Sequence, residues 1–132
     1  MTDKFIDELR AVHAKLADLE TTDSDEFCTF DAYNDRYVVE MKDRGWTKYP
    51  DTLIEYHKVE ANRDSDRTLL YAVKNCGKIY IFNVTKLERD GYDFRWEKRM
   101  LPATTFFARK EWIEKYVGYI KWEDAIYVHD LT

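Results

Sequence analysis

Two runs rich in aromatic and β-branched residues, 26–32 (EFCTFDA) and 36–42 (RYVVEMK), stand three residues apart around Asn34-Asp35. Runs of that composition at that distance pair as a β-hairpin, because Asn and Asp favour the tight turn between them. Successive side chains of a strand point to opposite faces. With Asn34 and Asp35 at the centre of the turn, Asp31 faces Val38, and Asp31, Val38, Glu40 and Lys42 share a face. Cys28, Phe30, Tyr37, Val39 and Met41 share the other. One side reads as core, while the other gathers two acids and an amine. Asp31 and Glu40 become diagonal cross-strand neighbours, roughly 7–8 Å apart or less.

The flanking sequence sets this hairpin in a larger plan. Residues 4–20 place Phe5, Leu9, Val12, Leu16 and Leu19 at intervals of four, three, four and three, the spacing of one helical face. A helix is predicted there, ending near Thr21. After Arg44-Gly45 a loop carries Trp46 and Tyr49, and Pro50-Asp51 is expected to open a second helix, TLIEYHKVEAN. Residues 68–74 and 78–84 read as a second hairpin around Asn75-Cys76-Gly77. The stretch 85–108 reads as loop with one short strand, 109–118 as a helix, and AIYVHDL as a last strand. The order α, β, β, α, β, β and a mixed tail implies an α/β (α+β) fold on one mixed central sheet flanked by helices. A single domain is expected over 1–132, with its core at about 4–84 and an elaboration over 85–132.

Composition narrows the function classes. At 132 residues and 45% hydrophobic, one compact core is possible and a second is not. The aromatic positions Phe106, Phe107, Trp112, Tyr116, Tyr119 and Trp122 are expected to serve as core or as an oligomer interface. No run approaches the roughly 18 apolar residues that span a bilayer. The N-terminus is polar, so a soluble, cytoplasmic chain without a signal peptide is expected. Cys28 and Cys76 are the only cysteines, and His13, His57 and His129 are scattered, which argues against zinc. Both cysteines read as small buried hydrophobes. No glycine-rich nucleotide loop is present. The net charge of −5 gives no global attraction for nucleic acid, but Lys42, Arg44 and Lys48 cluster and Lys58 follows on the predicted helix. Of these, Arg44, Lys48 and Lys58 are the candidate nucleic-acid contacts.

Two carboxylates at hairpin separation can jointly hold a hard divalent cation, which prefers oxygen ligands and keeps several waters. Such a cation stabilises charge on a phosphate and activates water. Lys42, one strand step beyond Glu40, can orient that water or neutralise developing charge. The run from Asp31 to Lys42, ending Glu40-Met41-Lys42, resembles the D…ExK signature of the PD-(D/E)XK nuclease superfamily. Short members such as archaeal and phage Holliday-junction resolvases are similar in scale.

The resemblance spans about residues 4–84 and implies a restriction-endonuclease-like core of order αβββαβ. It implies a Mg²⁺- or Mn²⁺-dependent endonuclease acting on DNA, with Asp31 and Glu40 as metal ligands and Lys42 assisting the water. Many members add a glutamate on the first helix. Glu8 lies early in that helix, as the family's residue does, with Glu20 the alternative. Phe30 stands where the family often has proline, and the family's third strand would have to be very short, near Asp23–Phe27. By analogy with resolvases, structure-selective cleavage and a homodimer are expected. Two competing readings remain. One is a non-catalytic interaction module that keeps the nuclease fold, such as a phage or mobile-element protein binding a protein or nucleic-acid partner. The other takes the three charged residues as the solvated face of a hairpin, where ion pairs contribute little.

Overall fold

A computed structural model of the chain describes residues 3–22, 30–102 and 112–131. The N-terminal helix α1 covers Asp3–Val12. It is shorter than its apolar pattern predicts, because His13 takes an extended conformation and its ring nitrogen accepts a hydrogen bond from the Lys15 backbone N–H. A 3₁₀ turn at Ala14–Leu16 then carries the chain back, and the Arg10 guanidinium donates to the Leu19 carbonyl at 2.7 and 2.9 Å. Phe5, Leu9, Val12, Leu16 and Leu19 are all buried. The pattern marked the apolar face correctly even where the helix gave way to a turn.

Six strands form the main sheet in the order β1-β2-β3-β5-β6-β9. These are β1 (Glu20–Thr21), β2 (Ala32–Tyr33), β3 (Tyr37–Gly45), β5 (Thr68–Asn75), β6 (Lys78–Asn83) and β9 (Tyr127–Asp130). The β1–β2–β3 meander is antiparallel, β3 and β5 run parallel, and β5, β6 and β9 are antiparallel again. The sheet is therefore mixed, as the sequence implied. The short extra strand before β2 is Glu20–Thr21, whereas the position expected for it, 23–27, lies outside the described residues. The β5–β6 turn places Cys76 and Gly77 at φ 54° and 73°, the left-handed region where glycine carries no steric penalty. Cys76 is a free, half-buried turn residue rather than a core hydrophobe, and Cys28 lies outside the described residues.

Two helical expectations fail. The segment after Pro50 is not a helix from its start: Asp51–Glu55 is strand β4, and only Tyr56–Ala61 coils into helix α2. Trp112–Lys121, expected to be partly helical, is strand β8, and residues 103–111 with Phe106 and Phe107 lie outside the described residues. β4, β8 and β7 (Glu97–Pro102) make a second, antiparallel sheet in the order β4-β8-β7. Helix α3 (Val84–Arg89) follows β6 directly and is capped by the Asn83 side chain, which accepts from Lys86 N–H at 3.0 Å.

The main sheet has a core on each side. On one face α1 and the 3₁₀ turn cover Val39, Met41, Leu70, Ala72, Ile79 and Ile81. On the other, Val38, Leu69, Tyr71, Val73 and Phe82 meet Ile54 of β4, Val59 of α2, Val84 of α3 and Ile120 of β8. The segment after residue 84 is thus integral to the second core. Of the C-terminal aromatics, Trp122 packs on Tyr80 and Phe82, while Trp112 and Tyr116 are exposed. Among the described residues no helix is long and apolar enough to cross a membrane.

Candidate active site

The hairpin turn is two residues wider than the sequence reading assumed. Ala32 pairs with Val39 and Tyr33 with Val38. The ladder is then irregular, because Asp31 N–H donates to the Val39 carbonyl at 3.0 Å, and the Asp31 carboxyl meets that of Glu40. The cause is Asn34. Its buried side-chain oxygen accepts from both Arg36 and Tyr37 N–H, and its amide donates to Lys15 O and Asp18, closing a broader loop. A shift of two keeps Ala32 and Tyr33 on their expected faces. The irregularity at Asp31, however, puts Phe30 with Val38, in the core opposite the one that holds Tyr37, Val39 and Met41, with which it was expected to share a face. The expected grouping of the two acids survives, with their carboxyls in hydrogen-bond contact.

Asp31 is fixed by β3 itself. The antiparallel ladder stops at Ala32, and the Asp31 carboxylate accepts from Met41 N–H at 2.8 Å in place of a backbone carbonyl. Glu40 is only 5% exposed. Burial first, and then hydrogen bonding and like charge from Asp31, push its carboxyl up to about 8, against the opposing pull of Lys58. The Lys58 ammonium lies 2.8 Å from Glu40 Oε2. Glu40 therefore holds a proton at neutral pH, with the Asp31 carboxyl against it.

Glu40, Lys42 and Arg44 alternate along one face of β3 and line a cleft of about 250 Å³. Lys58 of α2 lines it too, and β4, β8 and β7 close it with Glu55, Lys115 and Leu101. Burial opposes ionisation of Glu55, but Lys115, hydrogen-bonded to it, outweighs that effect and holds its carboxyl below the usual range. Among the lining residues, the cations Lys42, Arg44, Lys58 and Lys115 outnumber the acids Glu40 and Glu55. An acidic chain thus carries a locally basic cleft. Arg44 is partly committed to structure: it donates to Leu53 O at 2.9 Å and to the Tyr71 hydroxyl at 3.0 Å. Tyr71, fully buried and pushed up to about 12 by desolvation, donates to the same Leu53 carbonyl at 2.8 Å.

Two expectations are corrected. Glu8 does not complete the site. It projects from α1 on the opposite side of the sheet, where its carboxylate is 2.6 Å from Lys74 Nζ, and that ammonium also lies 4.8 Å from the Phe5 ring. Leu70, Ala72 and Lys74 alternate on the α1-covered face of β5, which carries Glu8 away from Glu40 and Lys42. The alternative, Glu20, is exposed in β1 opposite Tyr33. Among the described residues no group of three or more His, Cys, Asp or Glu side chains converges on a point that could hold a metal ion. Lys48, the second correction, is exposed on the loop between β3 and β4 and is not among the residues lining the cleft.

The sequence reading missed Glu55, Lys115 and Leu101, which form the cleft's second wall. For Glu55 the structure shows a period-two strand, with Thr52 and Ile54 buried and Leu53 and Glu55 less so, whereas Lys115 and Leu101 come from β8 and β7. The proline at position 50 suggested a helix instead. No protein-family model, no curated protein and no solved structure matches this chain. The likeness to the nuclease superfamily therefore rests on the residues and their arrangement.

Proposed function

We propose that this chain is a metal-dependent endonuclease of the PD-(D/E)XK type, with a restriction-endonuclease-like core, that hydrolyses phosphodiester bonds in DNA. The observation that carries the reading is the Asp31–Glu40 carboxyl pair at the edge of a basic cleft, with Lys42 on the same strand face. The order α1, β1–β2–β3, β4, α2, β5, with β5 parallel to β3, supports it, since the superfamily's core has that sequence of elements once β4, which belongs to the second sheet, is set aside.

The donor set fits a divalent cation held by Asp31 and Glu40 alone. Mg²⁺ is ordinarily bound through one or two carboxylates plus substrate phosphate and water. The proton that Glu40 retains marks charge that a hard cation would neutralise instead. When bound, such a cation lowers the pKa of water and polarises the phosphate. The chain's own residues do the rest. Lys42 orients the attacking water and neutralises charge that develops on the phosphoryl oxygens. Lys58 turns from Glu40 toward a phosphate oxygen, and Lys115 faces the strand from the opposite wall. Tyr71 and Arg44 lock β4 against β3 so that the two walls keep their spacing.

Incubation with linear, nicked, branched and single-stranded DNA, with Mg²⁺ or with chelator, tests the reading. Cleavage should require the metal and drop on the order of 10²-fold or more in Glu40→Gln and in Lys42→Ala. Full activity in both variants would defeat it. The second reading, a non-catalytic module with this fold, is favoured by the ion pairs Glu40–Lys58 and Glu55–Lys115, which satisfy the cleft's charges internally. Calorimetry with Mn²⁺ separates the two: a catalytic site binds the ion and loses it in Asp31→Ala.

A further inference from the structure

The cleft does not end at Arg44. A second cavity of about 230 Å³ shares Arg44, Leu53 and Leu101 with the first, so the two form one trough. The second chamber has a different chemistry. The first is dominated by paired charges, whereas the second is lined by Tyr49, Tyr119, Trp122 and Arg99. Its one acid, Asp51, is paired with Arg95.

The three rings are not equivalent. Trp122 packs at a tilt against Tyr80 and Phe82. The Arg95 guanidinium covers Tyr119 at 5.0 Å, and its hydroxyl is held by Arg99 and Glu97. Tyr49 is 71% exposed, while its backbone carbonyl accepts from Trp122 Nε1 at 2.7 Å. It is an anchored residue with an open ring, next to a guanidinium and one chamber along from the carboxyl pair. An exposed ring on a fixed backbone beside a cation suits a heteroaromatic base attached to a phosphate.

We propose that the trough holds an unpaired nucleotide strand, with a base stacked on Tyr49 and its flanking phosphate between Arg99 and Arg44. A base inside a duplex has both faces covered by its neighbours and cannot stack on a side chain, so the preferred substrate is single-stranded or carries a single-stranded arm. The placement of the scissile phosphate in the first chamber rests on the nuclease reading. The stacking site rests on the second chamber alone.

Fluorescence anisotropy in chelator, with a labelled oligothymidylate and a duplex of equal length, tests this without requiring cleavage. The oligothymidylate should bind more tightly than the duplex. Tyr49→Ala should weaken its binding about 5- to 100-fold, the effect of losing one base–aromatic stack, and Tyr49→Trp should restore it. Duplex binding should not respond to either change. Because the Tyr49 ring is exposed and its anchoring bond is made by the backbone carbonyl, the alanine variant keeps the fold, which circular dichroism verifies. Equal affinity for both probes, or unchanged binding in Tyr49→Ala, overturns the proposal. Metal-dependent cleavage of duplex DNA that ignores Tyr49 overturns it while leaving the nuclease reading intact. Tyr49-dependent binding of the single strand without cleavage under Mg²⁺ supports it while the nuclease reading fails.

Discussion

Glu40 is a residue whose chemistry works against the fold that holds it. Its carboxyl is raised from 4.5 to about 8, so between those values the folded chain keeps a proton that the unfolded chain has lost. Stability must then fall as pH rises through that window and level off above it. Each pH unit crossed in the window removes about 1.4 kcal/mol, so the loss amounts to a few kcal/mol, a large share of an ordinary domain's margin. Glu40→Gln keeps the shape and removes the titration. In urea unfolding with chelator at pH 5 to 8, the variant should lose the downward slope and exceed the parent at pH 8, while cleavage disappears. Parallel pH profiles for the two proteins would show that Glu40 is not under this strain. A buried acid strained beside a second acid marks a candidate for chemistry rather than a contributor to stability. The grouping Asp31, Glu40 and Lys42 was legible in the sequence because it depends only on a local turn and the period of two, and it tolerated an error of two residues in the register. Glu8 was not legible, since its partner Lys74 is set by α1 docking across the sheet.

At the scale of elements, the errors share one cause. A helix was expected after Pro50, on the signal of the proline, and another over 109–118, yet residues 51–55 pair with 117–121 and residues 112–117 pair with 97–102. Pairing between segments more than sixty positions apart has no local trace. Gly118 records that pairing after the fact. A Cβ there would lie 2.7 and 2.8 Å from Trp96 ring atoms and 2.9 Å from Phe94 Cβ. Trp96 is stacked between Phe94 and Tyr116, and Phe94 is buried, so neither can easily give way. Gly118→Ala should therefore destabilise the protein by about 1–3 kcal/mol, the usual cost of overpacking. Because β8 carries Lys115 three residues away, binding to the cleft should weaken as well. Thermal unfolding and tryptophan fluorescence measure the first effect. A neutral outcome would mean that the β7–β8 hairpin moves freely over Trp96.

For the molecule as a whole, the nuclease proposal raises the question of how a chain of net charge −5 would meet a polyanion. The answer given by the fold is segregation. Lys42, Arg44, Lys58 and Lys115 come from β3, α2 and β8, separated in sequence, yet they line one concave surface. A cleft with low-dielectric walls focuses that local potential, so net charge is a poor guide to what the cleft attracts. Each phosphate contact in such a site releases counterions and adds about 0.7 to the slope of log affinity against log salt for a single strand. Lys115→Ala removes one contact and leaves Glu55 facing the strand, so it should both weaken binding and flatten the slope by about that amount. Lys48→Ala removes the same charge from an exposed loop residue that does not line the cleft, and its slope should match the parent's. Anisotropy titrations between about 50 and 200 mM salt compare them. If the two variants flatten the slope equally, phosphate is being met by the surface at large, and the concave arrangement of lysines has no part in recognition.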